Sequence, residues 1–552
     1  MVSEGYYYVD KTLLIRDILA QKSKVTLFTR PRRFGKTLAQ SMLKTYFEKE
    51  ILPDGTAVDN SVYFNGKKIM EAGEEYTKHM GQYPVIFLSL KSAKQPSYDI
   101  AYEKIKESVT NEFIRHRYVL EGDALLPLQK ERYNLFMEQK ARLPEYATSL
   151  LFLSDCLVQY HKQKAVILID EYDVPLENAY FEGFYDKMVS FIRSLFESVL
   201  KTNKNLGFAV ITGCLRISRE SIFTGLNNLN VVSVLDNSYS EYFGFVQEET
   251  DKMLSFYDIE NRSGEVKEWY NGYLFGNTDV YNPWSLINYV KDIVYKNTNF
   301  PKPYWSNTSP NSIIRELVEK ADDITRCELE ELVAGGTIEK PVHEDITYAD
   351  IYKSQDNLWN FLFFAGYLKK TGERWDEQLH RIYLYLAIPN KEISYIYHNI
   401  IIEWSDQRIQ ACDLSGLIKA LDNGDCIAAS DIITGQLLDT ISFYNYKEDY
   451  YHRFLAGLLK NNTKYYLKSN RESGFGRYDL VLKTHRIRNG RAIILEFKTA
   501  GSISEMENGC KKALEQIEEL HYDSDIINEG YTDIIKYGVC FYKKECLVMM
   551  GR

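Results

Sequence analysis

The sequence lacks any run of about 20 apolar residues, the length that a membrane-spanning helix requires. Its eight cysteines are scattered, without a CxxC pair or the Cys/His spacing of a zinc site, which favours reduced thiols over a disulfide framework. The first residues, MVSEGYYYVDK, do not have the basic start and apolar core of a signal peptide. Together these absences predict a cytoplasmic protein without a membrane partner.

The chain also lacks an excess of positive charge, since its formal net charge is −10. This balance argues against a protein that coats nucleic acid with a uniformly basic surface. It leaves a local basic groove open, because phosphate affinity depends on where Lys and Arg cluster. Apolar material is ample, since 45% of the 552 residues are hydrophobic. A chain of this length is predicted to form roughly two to four domains.

Apolar and amphipathic segments predict an α/β fold in three regions. Residues 1–239 alternate short apolar runs with amphipathic stretches, which indicates a parallel sheet. Residues 240–438 are dominated by helical patterns, and we expect a helical region that contains a small winged-helix unit. Residues 439–552 return to strands flanked by helices, which is typical of a compact α/β domain. The expected strands are Val25–Thr29, Pro84–Leu90, Ala165–Asp170, Gly207–Thr212, Tyr465–Leu467, Tyr478–Leu482, Ala492–Phe497 and Tyr537–Phe541.

A phosphate-binding loop is predicted between the first strand and the next helix, since strand, loop, Gly-Lys-Thr and helix follow in that order. Backbone N–H groups at the helix N-terminus bind phosphate, Lys36 reaches the β- and γ-phosphates of ATP, and the Thr37 hydroxyl binds Mg²⁺. Arg30 replaces the first glycine of the general pattern, and we expect it to add positive charge beside the phosphates. The expected nucleotide-binding residues of the loop are Arg33, Phe34, Gly35, Lys36 and Thr37.

The second half of this site is predicted where two later strands end. Asp170 and Glu171 follow a fully apolar strand, so Asp170 would hold Mg²⁺ through water and Glu171 would activate the attacking water. Thr212 ends the fourth strand and would sense the γ-phosphate, while Arg216 would neutralise transition-state charge. The alternatives are a solvated basic turn with an N-capping Asp, and a strand-end turn with a surface Arg.

A metal-dependent nuclease site is predicted near the end of the chain. Glu496 and Lys498 share one face of a strand, because side chains alternate along it. Asp479 lies on a strand that can pair with it through a hairpin at Asn489-Gly490. Two carboxylates can hold Mg²⁺ or Mn²⁺ with several waters, and Lys498 can orient or deprotonate the water that attacks a phosphodiester. The alternative is an exposed charge cluster at a sheet edge.

Two predicted helices offer further residues to this site. Gln516, in the helix Met506–Leu520, is expected to reach a phosphate, and Glu448, in the helix Glu448–Leu459, is expected to be another carboxylate beside the metal. For both residues an ordinary solvated position is the alternative.

Several short motifs resemble those of a known family. They are Tyr7–Thr12, Thr29–Thr37, Thr212-Gly213, Ile222–Leu229, Trp269–Tyr273 and Tyr281–Ser285. With them the chain resembles bacterial AAA-ATPase-like proteins, of the type labelled DUF1703, and its last part resembles the PD-(D/E)XK nuclease domain usually fused to them. The resemblance implies a P-loop NTPase sheet and a restriction-endonuclease-like C-terminal domain, and Arg30 agrees with it. For the last two motifs, buried turn packing is the preferred interpretation.

The leading hypothesis is an ATP-binding, ATP-hydrolysing protein whose Mg²⁺-dependent nuclease domain cleaves DNA, with ATP repositioning that domain through the helical region. DNA is favoured over RNA, and a role in mobile-element biology or in defence against foreign DNA is inferred from the pairing of the two domains alone. Two alternatives stay open: an ATP-switched nucleic-acid-binding or scaffold protein without cleavage, and an ATPase with an inert tail. AAA-type sites often form between subunits, so a homo-oligomer is also considered.

Overall fold

The computed structural model shows two compact units. The first comprises Met1–Ser309 and Thr337–Ser394, and the second comprises Pro310–Gly336 and Tyr395–Arg552. The described residues are 5–52, 54–215, 222–223, 228–296, 298–305, 312–344, 348–411, 415–438, 448–460, 462–473, 476–488 and 490–551.

A five-stranded parallel sheet forms the centre of the first unit. Its strands are β1 (Val25–Thr29), β2 (Val85–Ser89), β3 (Ala165–Asp170), β4 (Leu206–Gly213) and β5 (Leu229–Val232). They lie in the order β2-β3-β4-β1-β5. Every residue of β1 and β3 is buried, as expected where both faces of a parallel strand are covered. Because β4 lies between β1 and β3, the carboxyl ends of these three strands are neighbours at one edge of the sheet.

Two small antiparallel sheets belong to the same unit. A hairpin pairs β6 (Tyr273–Phe275) with β7 (Thr278–Val280). The other sheet has the order β8-β10-β9, with β8 at Ile338–Pro341, β9 at Lys369–Asp376 and β10 at Arg381–Ala387.

The sheet of the second unit is mixed. Its strands lie in chain order, and they are β11 (Tyr465–Ser473), β12 (Gly476–Thr484), β13 (Arg491–Thr499), β14 (Asp533–Tyr542) and β15 (Glu545–Met550). Only the pairing of β13 with β14 is parallel within this sheet. One face is covered by a buried apolar cluster that includes Leu417, Phe454, Leu480, Phe497 and Phe541.

The α-helices account for most of the remaining described chain. They are α1 (Leu13–Gln21), α2 (Lys36–Phe47), α3 (Glu74–Thr77), α4 (Tyr98–Arg115), α5 (Pro127–Met137), α6 (Leu143–Tyr146), α7 (Ser149–His161), α8 (Val174–Phe181), α9 (Tyr185–Phe196), α10 (Gln247–Phe256), α11 (Ser263–Tyr270), α12 (Pro283–Lys296), α13 (Ser312–Lys320), α14 (Asp323–Val333), α15 (Gln355–Phe364), α16 (Lys391–Ala411), α17 (Ser415–Asn423), α18 (Cys426–Leu438), α19 (Glu448–Lys460), α20 (Met506–Glu519) and α21 (Ser524–Asn528). Within the described residues, no helix combines the length and the apolar character that a membrane crossing needs.

The predicted fold class is confirmed: an N-terminal parallel sheet, a helical middle and a C-terminal α/β sheet are all present. The middle region contains α15 and the small sheet of β8, β9 and β10, and the winged-helix unit stays a prediction. The domain boundaries predicted at residues 239 and 438 stay predictions.

Candidate functional site

The loop from Arg30 to Gly35 joins β1 to α2 and has an unusual backbone. Arg33 and Gly35 both have positive φ angles, +71° and +86°. Gly35 is the N-cap of α2, and glycine adopts this left-handed conformation without a steric penalty. The loop therefore turns sharply into the helix, whose first N–H groups have no partner within the helix and can bind an anion.

Lys36 is the first residue of α2 and is only 5% exposed. Its Nζ donates hydrogen bonds to the carbonyl oxygens of Arg30 and Pro31, each at 2.9 Å, and lies 3.4 Å from the Sγ of Cys214. The ammonium group is thus held inside the curve of the loop. From this position it can provide a concentrated positive charge to an anion at the loop.

Asp170 ends β3 and is completely buried. Its two carboxylate oxygens accept hydrogen bonds from two hydroxyl groups, that of Thr37 at 2.7 Å and that of Thr212 at 2.6 Å. The strand order explains the contact with Thr212, since β4 lies between β1 and β3. A carboxylate beside a hydroxyl is an oxygen donor pair that fits Mg²⁺.

Glu171 follows Asp170 directly and has a left-handed backbone, with φ +53°. Burial raises the pKa of its carboxyl, the nearby Lys36 opposes this rise, and the charges of Asp170 and Asp173 add to it. A carboxylate whose pKa is raised is a stronger base for accepting a proton from water. The position of Glu171 therefore suits the role predicted for it.

A cavity of about 970 Å³ opens in front of this group of residues. It is lined by six of the predicted residues: Arg33, Phe34, Gly35, Lys36, Thr37 and Glu171. Asp170 and Thr212 lie behind Thr37, linked to it by the hydrogen bonds above. Arg216 lies outside the described residues, so its role stays a prediction.

Arg30 does not add charge beside the loop as predicted. Its side chain is completely buried, and its guanidinium lies 5.3 Å from the ring centre of Phe243 and 5.1 Å from that of Phe275. It donates hydrogen bonds to the carbonyl oxygens of Thr29 and Val232, both at 2.9 Å. Burial lowers the pKa of Arg30 to about 9. Arg30 is therefore a structural residue that fastens the loop to the core.

Sequence reasoning missed three residues around this cavity. Trp284 lines the cavity, and the guanidinium of Arg33 lies 4.4 Å from its ring centre. Asp173 is buried and accepts hydrogen bonds from the backbone N–H groups of Cys214 at 2.7 Å and Leu215 at 3.2 Å, downstream of β4. Gln40 donates from α2 to carbonyl oxygens of β3 and β4, at 3.3 and 3.1 Å. For these three residues, the only sequence feature that could have indicated a place at the cavity was the motif Tyr281–Ser285, which contains Trp284. Its neighbours Tyr281, Asn282 and Ser285 are buried as expected, but Trp284 is exposed.

The second group of predicted residues lies on β12 and β13 of the other unit. Asp479 and Glu496 face each other one position beyond the paired residues Leu480 and Leu495. The backbone N–H of Asp479 donates to Glu496 Oε2 at 3.3 Å, and that of Phe497 donates to Asp479 Oδ2 at 2.9 Å. The antiparallel hairpin predicted from the sequence therefore brings the two carboxylates together.

Glu496 is the electrostatic centre of this group. It is 2% exposed, its Oε1 accepts from Gln516 Nε2 at 2.5 Å, and Lys498 Nζ lies 3.6 Å away. Burial and the charge of Asp479 raise its pKa to about 8, an effect that Lys498 opposes and Glu448 increases. Burial also raises the pKa of Asp479. Both neighbouring carboxyls have raised pKa values. A divalent cation between them would stabilise their ionised forms.

Helix α19 places two side chains near these carboxylates, Glu448 in its first turn and His452 one turn later. Glu448 is exposed and acts on Glu496 through its charge. His452 was missed by sequence reasoning; its Nε2 lies 3.1 Å from the carbonyl oxygen of Asp479 and 3.1 Å from the Oγ of Ser469. Glu448 and His452 lie four residues apart and therefore share one face of α19. A single histidine in the sequence does not by itself indicate a functional site.

The carboxylates of the second group fit a weakly held ion such as Mg²⁺ better than a metal site in which every ligand comes from the protein. Within the described part of the chain, no three His, Cys, Asp or Glu side chains form a group that could hold a metal. Asp479 and Glu496 supply two carboxylates, so the remaining ligands would be water or phosphate oxygens, as Mg²⁺ prefers. Gln516 also donates to the hydroxyl of Tyr522 at 3.0 Å, which fixes its amide against Glu496.

Comparison with known proteins finds two family matches. Residues 1–223 match a family model described as a predicted AAA-ATPase, AAA-ATPase-like. Residues 446–550 match the model of the PD-(D/E)XK nuclease superfamily. Neither model bears the DUF1703 label.

One curated relative is an uncharacterised protein in the vnfD 5′ region of Azotobacter chroococcum mcd 1, 26% identical over 324 residues. The match covers 57% of this chain and 54% of that protein, so the chain spans about half the length of the curated relative it matches.

Proposed function

We propose, for a chain that joins an AAA-ATPase-like domain to a domain of the PD-(D/E)XK nuclease superfamily, that ATP binding and hydrolysis in the first unit control metal-dependent cleavage of DNA in the second. One observation carries the nuclease part: Asp479 and Glu496 face each other across β12 and β13, and the Lys498 ammonium lies 3.6 Å from Glu496. Two carboxylates can hold a divalent ion and an ammonium can orient water, which together suit metal-dependent phosphodiester hydrolysis.

In the first unit, the Arg30–Gly35 loop and Lys36 bind the phosphates of ATP. Thr37 and Asp170 would hold Mg²⁺, which supplies charge neutralisation for phosphoryl transfer. Thr212 keeps Asp170 oriented through the 2.6 Å hydrogen bond to its second oxygen. Glu171 lines the cavity beside Lys36 and accepts a proton from the attacking water.

In the second unit, Asp479 and Glu496 would hold Mg²⁺ or Mn²⁺, which supplies Lewis-acid stabilisation of charge on phosphorus. Lys498 lies on the same face of β13 as Glu496, so its ammonium orients the attacking water. Gln516 holds Oε1 of Glu496, and Oε2, which accepts the Asp479 N–H at 3.3 Å, would offer its remaining lone pair to the metal. The charge of Glu448 makes the electrostatic potential around Glu496 more negative, which favours cation binding.

Helix α16 is the element that we propose couples the two activities. It begins with residues of the first unit and continues with residues of the second. In its first turn the buried Glu392 accepts hydrogen bonds from Ser285 Oγ at 3.0 Å and from the Trp305 N–H at 2.8 Å. Ser285 directly follows Trp284, which lines the cavity, so a change there acts on the start of α16.

The biological setting that we propose is cytoplasmic, in mobile-element biology or in defence against foreign DNA. DNA is the proposed substrate rather than RNA, and a homo-oligomer is the proposed form because AAA-type sites often lie between subunits. These points go beyond both family matches and are separate from the chemistry of the two sites.

The test is cleavage of mixed DNA substrates in Mg²⁺ or Mn²⁺, with and without ATP. We expect metal-dependent cleavage by the wild type and loss of cleavage in Glu496→Ala. Glu507→Gln is the matched control, because Glu507 is an exposed glutamate of the same unit, paired with Lys511 at 2.7 Å. Tight DNA binding without cleavage in either metal would instead favour an ATP-switched binding protein. Lys36→Ala tests the coupling, since it should abolish any effect of ATP on cleavage.

A further inference from the structure

Two chemically different groups of side chains line the cavity of the first unit. Around the loop the lining is polar and includes Lys36, Thr37, Glu171 and Lys91. Other parts of the lining are aromatic and aliphatic, with Tyr7, Met42, Met253, Tyr257, Trp284 and Ile287. Met42 lies six residues after Lys36 on α2, which places it about 9 Å further along the helix axis. The cavity thus combines a phosphate-binding end with an apolar end.

Helix α12 builds one wall of the apolar end. Trp284, Ile287 and Lys291 all line the cavity and lie at i, i+3 and i+7, so they share one face of the helix. Trp284 is 37% exposed and Ile287 is 47% exposed, whereas Leu286 and Tyr289 on the opposite face are completely buried. Large apolar side chains exposed side by side in a concave site mark a ligand surface.

The position of Trp284 is fixed by the start of this helix. The side-chain oxygen of Asn282 accepts hydrogen bonds from the N–H groups of Trp284 at 3.0 Å and Ser285 at 3.2 Å. Pro283 occupies the first helical position, where its ring restrains the backbone. The backbone of Trp284 is therefore fixed at the start of the helix, and its indole lies beside the loop with the Arg33 guanidinium 4.4 Å from its ring centre.

A further part of the apolar lining comes from the N-terminal segment and α10. The ring of Tyr7 packs against Phe256 and Tyr257, with ring centres 4.9 and 5.9 Å apart. Met253 lies beside them in the same apolar cluster. A flat ligand at the apolar end would meet aromatic and thioether groups, which favour contact with the face of a ring.

The lining also shows which groups of a ligand can be recognised. Among the described residues that line the cavity, none is Asn, Asp, Gln, Ser or His, and the only carboxylate is Glu171 at the polar end. Hydrogen bonds to the edge of a base would therefore have to come from tyrosine hydroxyls, the Thr37 hydroxyl, lysines, Arg32, Arg33 or the backbone, and not from an amide side chain that can donate and accept at one purine edge. Stacking on ring faces, by contrast, is tolerant of the identity of the base.

We propose that the apolar end of this cavity binds the base of a purine nucleoside triphosphate by stacking, with Trp284 as the principal contact, and that adenine and guanine are accepted alike. This inference rests on the proposed nucleotide site at Lys36 and adds its base-binding half. It places the triphosphate at Gly35, Lys36 and Thr37 and the purine at Trp284 and Tyr7.

The test is calorimetric binding of ATP, GTP and inorganic triphosphate to the full-length protein in Mg²⁺. Trp284→Ala should weaken ATP and GTP binding by about tenfold or more and leave inorganic triphosphate binding unchanged. Trp284→Phe keeps a ring and should stay within about threefold of the wild type. Trp375→Ala is the matched control, because Trp375 is a 55% exposed tryptophan outside the cavity lining and its loss should change nothing.

Three results would overturn the inference while leaving the nucleotide site intact. They are unchanged ATP affinity in Trp284→Ala, an equal loss of ATP and inorganic triphosphate binding, and strong binding of ATP with none of GTP. A different result would remove the nucleotide site itself and the inference with it: a wild type that binds neither ATP nor inorganic triphosphate, or Lys36→Ala with unchanged binding of both.

Discussion

Replacing Glu392 with glutamine should change how the stability of the first unit depends on pH. Glu392 is completely buried, and its Oε2 has no hydrogen-bond partner among the described residues. Burial raises the pKa of its carboxyl from 4.5 to about 7, and the hydrogen bonds from Trp305 and Ser285 oppose the rise. The variant keeps the shape of the side chain but cannot ionise.

The sign follows from the direction of this shift. Because the pKa is higher in the folded state, the proton on Glu392 contributes stability that is fully present below pH 4.5 and is lost as pH rises towards 7. At about 1.4 kcal/mol per pH unit, the buried carboxylate costs the folded protein about 3 kcal/mol above pH 7. Relative to the wild type, Glu392→Gln should therefore gain about 2 kcal/mol between pH 5 and pH 8.

Differential scanning calorimetry of both proteins at several pH values measures this difference. A gain of this size should raise the unfolding midpoint of the variant by a few degrees relative to the wild type at high pH. Glu507→Gln, an exposed substitution in the other unit, should show no pH-dependent difference. If the difference between Glu392→Gln and the wild type were the same at every pH, the carboxyl would titrate normally and the reasoning would be wrong.

Three further predictions concern the two sites. Thr212→Val removes the hydroxyl that donates to Asp170; it should lower the free energy of unfolding by about 1–3 kcal/mol in denaturant titrations and weaken Mg²⁺–ATP binding in calorimetry. Arg30→Met removes two buried hydrogen bonds but also a buried charge whose Nε and Nη2 have no partner among the described residues; it should change the free energy of unfolding by no more than about 2 kcal/mol while the folded fraction binds ATP with unchanged affinity, and a selective loss of ATP binding would contradict the structural role. Mg²⁺ affinity of the second unit should rise as pH increases through about 8, because the raised pKa keeps Glu496 protonated at lower pH. Glu496→Gln should lack this dependence in Mg²⁺ titrations.

The sequence was sufficient where a site depends on neighbours along the chain. Lys36 and Thr37 follow a short strand and a glycine, so their place at the start of α2 is a local consequence of that pattern. Asp479 and Glu496 face each other because one hairpin sets the register of both strands. In both cases the residues that create the geometry lie within a few tens of positions of one another.

The sequence was insufficient where the partner lies far away in the chain. Arg30 is buried because Phe243 and Phe275, more than 200 residues later, surround its guanidinium. No local pattern distinguishes this arginine from its neighbours Arg32 and Arg33. The exposure of Trp284 likewise depends on how α12 packs against the rest of the unit, so turn packing was the reasonable but incomplete interpretation.

The sequence analysis did not predict strands whose residues do not alternate between apolar and polar. Most of β9 is charged or exposed, with the sequence KKTGERWD, so it lacks the apolar period of a half-buried strand. β15 follows β14 after only two residues, and β5 has four residues, of which only Val232 is buried. Such strands are stabilised by their partners in the sheet, which a single segment does not reveal.

The left-handed backbone of Glu171 has a consequence for how this chain can change over generations. A non-glycine residue with φ +53° carries a steric penalty, on the order of 1 kcal/mol, that glycine would avoid. Selection for stability alone would therefore drive position 171 towards glycine, whereas the proposed role of Glu171 in activating water would favour retention of the carboxylate. A library that varies position 171 can be selected once for thermal resistance and once for ATP turnover. The first selection should enrich glycine and the second should enrich glutamate.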